Sequence, residues 1–475
     1  MADRERRKAS VNFCLLAAIG LAVAGCDPTQ PYQAPGFPFA GHYGAGPRGS
    51  GQYAGAPVLL TNDSWWQRFR DPVLDGLVAQ AFAGNLNLAI ARERMVEAQA
   101  TRRGFPGAAS LTPDANSLAE GSNLNDAVQV SKAEVSLNWL LDPYGGRRAQ
   151  VRAAEARLGA ARAEVDAARL LVLFNLGNAY VDLRYEQRLL ALRRQDLAMR
   201  QKTLALTQSL FDANSATKLD ILKAEAHVAE IEASLPALVA GVQAGKNQIA
   251  VLVGVAPGSL AVDLDHGAAQ PRPRLSPQVG IPADLVRNRP DIRIAERQYE
   301  AAVADTGAAH ADLYPHLSLV GQIALTSVNG APVTNSSYFG PSVSFPALLS
   351  PAPRAAVDVR ASVARQAHEG WQATVLQALQ QVEESLGSYR AASAAVAGSE
   401  KTARLYGQVV TLTDALIASD GATLRDRMDA ESAITAANAT LASSLHDLGR
   451  SFVALNVNLG SGSADAAAVP AAPAN

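Results

Sequence analysis

The sequence predicts a mainly helical fold with a small β part. Long antiparallel coiled-coil helices run on from four strands per chain, and those strands close a barrel only with other copies of the chain. Three observations predict this. In "ADLYPHLSLVGQIALTS", residues 311–327, a helical rhythm gives way after Tyr314-Pro315 to alternation, with Leu317, Leu319, Gly321, Ile323 and Leu325 on one side; the period drops from about 3.6 to two. Proline is absent between Pro143 and Pro236 and between Pro353 and Pro470, which leaves room for helices of roughly 60 residues and about 90 Å. Segment 85–100, "NLNLAIARERMVEAQA", aligns with 289–304, "RPDIRIAERQYEAAVA", at a shift of 204 positions.

Taken from the start, residues 1–25 read as a signal peptide. "RERRKAS" is a basic n-region, and "VNFCLLAAIGLAVAG" is an apolar stretch too short to span a bilayer. It ends in "VAGC", small residues before Cys26, which looks like a bacterial lipoprotein lipobox with Cys26 as the lipidated residue. Cys14 leaves with the signal, so the mature chain holds no internal disulfide. Residues 26–62, rich in Pro, Gly and small polar residues, read as a lipidated tether. The first repeat covers 63–272 and the second 273–460, each ordered helix, strand, strand, helix, helix. The tail, 461–475, is low-complexity and expected to be disordered. Repeats near 200 residues exceed solenoid units, so this is a duplicated domain.

In the second half, strand 317–325 is expected to pair with 339–345, where Phe339, Pro341, Val343 and Phe345 share a face. In the first half, 128–139 alternates through Val135, Leu137 and Trp139 with Lys132 and Glu134 between, and "GAASLTPDANSLAEGS" gives only a weak strand signal. The helices carry heptad rows: Leu176, Leu183, Leu190, Leu197, Leu204 and Phe211, with Tyr185, Leu192, Met199 and Leu206 beside them, then Val375, Leu379, Val382, Leu386 and Tyr389. The hairpins reverse at 210–226 and 418–431, with Ser215 or Thr217 and Thr423 as caps.

The near-neutral chain, with 475 residues and a net charge of −2, gives no electrostatic reason for nucleic acid as a partner. No apolar run after residue 26 approaches the ~18 residues of a membrane helix, so a membrane span must use strands. Four strands close no lumen and leave open edges that lipid forbids. Three copies supply about 12 strands, an even count of the outer membrane kind.

Several segments carry a family resemblance: Trp65, Trp66, Phe69, Asp71-Pro72 and Leu74; "NWLLDPYGGRRAQVRAAEARL" at 138–158; "SATKLDILKAEA" at 215–226; "RPDIRIAERQYEAAVADTGAAHADLYPHLSL" at 289–319; "TVLQALQQVEESL" at 374–386; and "FVALNVNLGSG" at 452–462. In this order the chain resembles the outer membrane efflux protein family (TolC-like), in its lipoprotein branch serving RND-type multidrug pumps. The resemblance implies a homotrimer in outer membrane lipid with a 12-stranded transmembrane β-barrel, a periplasmic α-helical barrel and a mixed equatorial domain. It implies an exit channel that passively conducts small toxic compounds or drugs, partnered by a periplasmic adaptor and an inner membrane RND-type pump. The chain departs from the family at "LLSPAPR", 348–354, where a Gly-rich turn is usual, at the charged turn "TLRDRMDAE", and at Asp27, an acidic residue after the lipidated Cys.

Two sites are expected at the hairpin turns. Asp420, Leu424, Arg425, Asp426 and Arg427 form a candidate periplasmic gate, held shut by charge pairs among Asp420, Arg425, Asp426 and Arg427. Asp212, Asn214, Ser215 and Thr217 form a candidate adaptor-facing tip. No catalytic, cofactor or metal constellation is found: His310 and His316 lie six apart across a helix–strand junction, Glu383-Glu384 flank a helical seam, and no phosphate-binding loop occurs. No enzymatic activity is expected. The alternatives are an outer membrane duct for protein secretion and a structural envelope lipoprotein.

Overall fold

The computed structural model describes residues 32–39, 43–44, 64–105, 109–122, 125–265, 269–273, 282–346, 350–417, 419 and 421–463. Cys26, most of the tether and nearly all of the tail lie outside them. A 3₁₀ turn, Trp65–Phe69, leads into α1 (Pro72–Gly84) and α2 (Leu86–Arg103). Then follow β1 (Ala109–Ser122), β2 (Asn125–Leu141), α3 (Gly146–Asp212) and α4 (Lys218–Val253). The second half repeats the order with a short α5 (Leu285–Asn288), α6 (Pro290–Ala311), β3 (His316–Val328), β4 (Thr334–Ser344), α7 (Ala352–Ile417) and α8 (Leu424–Asn458). Helices α3 and α7 have 67 and 66 residues, about 100 Å each. Helix α4 continues through Pro236, which removes one backbone donor without ending the helix.

The chain divides into two compact units. One comprises residues 94–162 and 294–373 with the N-terminal stretch to Phe37, and the other comprises 38–93, 163–293 and 374 onward. The division is spatial and cuts across both sequence repeats.

The first unit holds one antiparallel sheet in the order β1-β2-β3-β4. The weak strand of the first half is 14 residues long and pairs with β2 from Ala109↔Trp139 to Ser122↔Asn125. Its signal is weak because Pro113 interrupts it, which an edge strand tolerates. Strand β3 pairs with β4 as expected, in the register Leu317↔Val343 and Leu319↔Pro341, but β4 starts at Thr334. The added residues "TNSSY" are mostly polar and carry no alternation. In the same unit Tyr32 packs edge-on against Tyr299 at 5.8 Å, its hydroxyl donates to Glu296 at 3.3 Å, and Phe37 meets Trp371 at 6.2 Å. Part of the tether is thus packed onto α6 and α7 by its aromatic residues.

The core of the second unit explains the aromatic motif near residue 65. Trp65, Phe69, Leu74, Leu77, Leu176, Tyr180, Leu183, Ile249 and Phe452 form one buried cluster, with Phe69 and Phe452 5.3 Å apart. Asp71 caps α1 by accepting from the Val73 N–H at 3.0 Å, with Pro72 at the first helical position. Its other oxygen accepts from the Tyr180 hydroxyl; burial and that bond push the phenol up from its ordinary value. Arg289 of the "RPD" motif joins three elements by donating to Asp291 at 2.6 Å, Gln381 at 2.8 Å and the Asn458 carbonyl at 2.9 Å. Val375, Val382 and Leu386 are buried as their heptad row predicts.

Gly254 ends α4 at φ +90°, and a Cβ there would lie 2.0 Å from the Gly84 carbonyl oxygen. Gly258 has a similar φ of +86° with nothing within 4 Å of such a Cβ. Gly258→Ala is expected to cost about 1–2 kcal/mol from left-handed strain alone. Gly254→Ala should lower the thermal midpoint clearly further, because α1 must also move; equal shifts in paired melting curves would refute that close approach.

Candidate functional site

The two hairpin turns are built alike. At the end of α3, Asn214 adopts φ 57° and the Ser215 N–H donates to the Leu210 carbonyl at 2.7 Å, a Schellman-type closure. At the end of α7 the Gly421 N–H reaches Leu416 at 2.8 Å in the same way. Each following helix opens with a capping box, Thr217 with Asp220 and Thr423 with Asp426. Hydrogen bonds from these threonines hold the Asp220 and Asp426 carboxyls below their usual range. Asp212, Asn214, Ser215 and Thr217 are all exposed, and Asp212 accepts from Gln208 at 3.2 Å.

At the second turn, Asp420 and the Leu424 side chain lie outside the described residues. Asp426 is committed to its cap on Thr423, and Arg425 is exposed beside it. Arg427 pairs instead with Asp414 at 3.5 Å and Glu431 at 3.1 Å. Within one protomer, Asp426 thus bonds its cap with the Arg425 charge beside it, and Arg427 reaches Asp414 and Glu431. A capping box uses Asp426 locally, and Arg427 reaches the next helical turn.

Glu431 leads to a cluster that residue spacing did not reveal. Glu431, on α8, is buried and accepts from Thr203 of α3 at 3.2 Å and from Arg427 at 3.1 Å, with the Arg200 guanidinium at 3.6 Å. Arg200 donates to Ser432 at 2.7 Å and lies 3.5 Å from Asp196. Asp196 in turn accepts from Thr435 at 3.3 Å. With Arg193 and Asp414 this makes three guanidinium groups against three carboxylates. A cavity of about 520 Å³ opens beside it, lined by Leu192, Asp196, Arg200, Ile231, Ser432 and Thr435 among others. In this stretch of α3 the buried positions are Leu192, Asp196, Arg200, Thr203 and Thr207, while Leu190, Leu197 and Leu204 are half-buried and Phe211 exposed. The leucine row read as the seam is thus not the one most covered within the protomer. The signal was available: positions 196, 200, 203 and 207 repeat at helical spacing directly after Leu192.

Farther along the same helices, His446 of α8 meets Asp182 of α3 at 2.8 Å and its neighbour Asp447 at 3.2 Å, under the Tyr185 ring at 4.6 Å. Arg450 shares Asp182 at 3.1 Å. Burial alone lowers the imidazole pKa, but its bonds to the two carboxylates outweigh that and raise it above 6.5.

The sheet offers the other functional surface. Glu134 of β2 pairs with Lys132 and accepts from Gln322 of β3, all on one face. The opposite face carries Val135, Ile323, Leu325, Phe339 and Val343. On that apolar face Ile323 is 61% and Phe339 68% exposed. Among the described residues no His, Cys, Asp and Glu group has metal-site geometry, and no single helix is long and apolar enough to cross a membrane.

Comparison with known proteins agrees with this construction. Residues 83–255 and 281–461 match the family described as outer membrane efflux protein. Nodulation protein T of Rhizobium leguminosarum bv. trifolii is 32% identical over 93% of this chain and 96% of its own length. The toluene efflux pump outer membrane protein TtgF of Pseudomonas putida is 28% identical over 66% of this chain and 67% of its own. The solved structure of the outer-membrane channel OprN superposes with a TM-score of 0.81 at 27% identity, covering 92% of this chain and all of that one.

The raised His446 pKa has a defined sign. A group that binds its proton more tightly when folded adds stability in full below its unfolded value near 6.5, and loses it as pH rises through the folded one. His446→Gln should therefore lower the thermal midpoint at pH 6, and the gap to wild type should close as the pH is made alkaline. A gap that is constant or widens with pH would contradict the ion pair.

Proposed function

This chain belongs to the outer membrane efflux protein family and is an outer membrane efflux channel; from that premise we propose that three copies close a 12-stranded barrel continuous with a helical conduit, through which small toxic compounds pass passively from periplasm to exterior. The observation that carries this reading is the exposed apolar face of the sheet. A sheet in water covers its apolar face, whereas here Val135, Ile323, Leu325, Phe339 and Val343 are exposed on it. Leu317 to Leu325 covers about 27 Å along the strand, or roughly 20 Å once tilted as barrel strands are, close to the ~25 Å apolar band of outer membrane barrels. Strands β1 and β4 are the sheet's two edges, which in lipid require a partner.

The helices support the same stoichiometric logic. Leu183 and Glu186 of α3 pack on Gly245 and Gly241 of α4, and α8 meets both α3 and α7. The outer members of this row keep exposed apolar residues, Leu405, Val409, Leu412 and Leu416 on α7 and Leu219 and Leu222 on α4. A neighbouring copy covers such rows in a heterologous interface that closes into a ring. A lipid on Cys26 rests on its lipobox sequence. A periplasmic adaptor and an inner membrane RND-type pump are the expected partners, since the duct itself shows no nucleotide-binding motif and the Pseudomonas putida relative is named as part of an efflux pump.

The gate in this reading lies at the hairpin turns, and its latch is the buried Asp196–Arg200–Thr203–Glu431–Arg427 cluster joining α3 to α8. Such a network is weak glue, because desolvation offsets much of its Coulomb attraction. It is directional, however, and fixes one packing of the two hairpins against another. The exposed turn residues Asp212, Asn214, Ser215 and Thr217 then face the adaptor.

The reading is tested by purification and bilayer recording: a detergent-stable trimer that forms pores is expected, and a water-soluble monomer without conductance would sink it. Glu431→Gln is expected to raise resting conductance well above wild type, since it leaves Arg200 and Arg427 without their shared carboxylate, a loss of up to about 3–5 kcal/mol for a buried pair. Arg425→Ala should change it little. The reverse ranking would move the latch from the buried cluster to the exposed turn.

A further inference from the structure

We propose that the helix-side rim of the sheet is a docking surface for anionic phospholipid headgroups, a role that rests on the barrel reading above. The strand register places this rim. Ala109↔Trp139, Leu141↔Leu317 and His316↔Ser344 bring the four strand ends that adjoin α2, α3, α6 and α7 to one edge. Aromatic residues stand along it: Trp139, Tyr314 and Phe345 are exposed, and Tyr144 stacks on Tyr314 at 4.6 Å. Exposed aromatics at the end of an apolar band mark the level of lipid headgroups.

Arginine is concentrated at the same level. Across residues 98–105, 142–153, 309–316 and 350–360 there are seven arginines against three aspartates, in a chain whose net charge is −2. Arg102, Arg103, Arg148, Arg152, Arg354 and Arg360 are exposed. Arg102 pairs with Glu155 at 2.7 Å and Arg148 with Asp142 at 3.5 Å; with Glu155 counted as well, a surplus of three positive charges remains. Local helix energetics do not account for this placement. Arg148 and Arg354 sit in the first turns of α3 and α7, where the helix dipole disfavours a cation, and neither helix has an acidic residue there. A positive collar bordering an apolar band is complementary to a leaflet carrying phosphate-based negative charge. Three copies would repeat it around the barrel.

The test uses the purified full-length protein in nanodiscs of phosphatidylcholine alone or with a minority of phosphatidylglycerol. Native mass spectrometry reads the lipid retained, and thermal scans read trimer stability. Wild type is expected to retain phosphatidylglycerol several-fold over phosphatidylcholine and to melt higher in its presence, with the preference erased by high salt. The combined Arg103→Gln, Arg354→Gln and Arg360→Gln variant should remain trimeric and lose the preference; if it does not assemble, the single variants should each weaken it. Equal retention of both lipids by wild type, or an unchanged preference in the variants, overturns the collar while leaving the barrel intact. Inorganic phosphate that reproduces the stabilisation in phosphatidylcholine discs overturns the assignment to lipid. Exclusion of the protein from both kinds of disc overturns the barrel and the collar with it.

Discussion

Unpaired backbone at the edges of a four-stranded sheet is the constraint on which the rest of this molecule depends. In hydrocarbon each unmet N–H or carbonyl costs several kcal/mol, so in the proposed barrel β1 and β4 pair with strands of other copies. The strands are composed accordingly. The two prolines, Pro113 and Pro341, fall in the edge strands. The central strands carry the ordered polar pairs, Glu134 with Lys132 and Gln322, on the polar face. Helices α3 and α7, each of more than 60 residues, follow β2 and β4 in the chain, so in the proposed assembly the symmetry that closes the sheet is passed on to them.

Those helices divide their labour along their length. In the second unit, large side chains from the Trp65 turn, α1, α3, α4 and α8 interlock around Phe452, and burial of this kind is strongly stabilising and not readily rearranged. Toward the turns the buried row changes to Asp196, Arg200, Thr203 and Thr207. A polar seam holds its partners by direction rather than by area. It tolerates a second arrangement wherever the same groups find new hydrogen bonds, which a leucine seam does less readily. In the proposed reading, a durable core and a reversible latch share one pair of helices.

The duplication shows which local devices the architecture needs twice. Both turns keep a Thr-Asp capping box and an i+5 backbone closure, although the residues between them differ. Asp426 belongs to this device through its bonds to Thr423. The N-terminal stretch has no counterpart in the second half. Tyr32 and Phe37 pack on α6 and α7 in the first unit, and Tyr43 is buried in the second, where the Gly44 N–H donates to Glu383 at 2.5 Å. Composition marked this stretch as a linker because a few aromatic residues are easily overlooked among so many glycines and prolines.

Periodicity, proline placement and internal repetition are local properties of the covalent chain, and for that reason the sequence alone determined the element order, the two hairpins, the pairing of β3 with β4 and the cap at Thr423, while leaving Ser215 and Thr217 both open as the other cap. It also carried enough family-specific pattern to place the chain among outer membrane efflux proteins. It did not determine which of several rows on α3 is buried, since two apolar rows and one polar row all have helical spacing. The choice falls to whatever packs against them, here Glu431 and Thr435 of a helix more than 200 residues away. The strength of β1 was hidden for the same reason: Pro113 weakens a strand considered by itself, and only its place at the edge of a sheet makes it acceptable. Tertiary structure alone decided that Ile323 and Phe339 on the apolar side of the sheet stay exposed, because exposure belongs to the folded surface and no single residue encodes it.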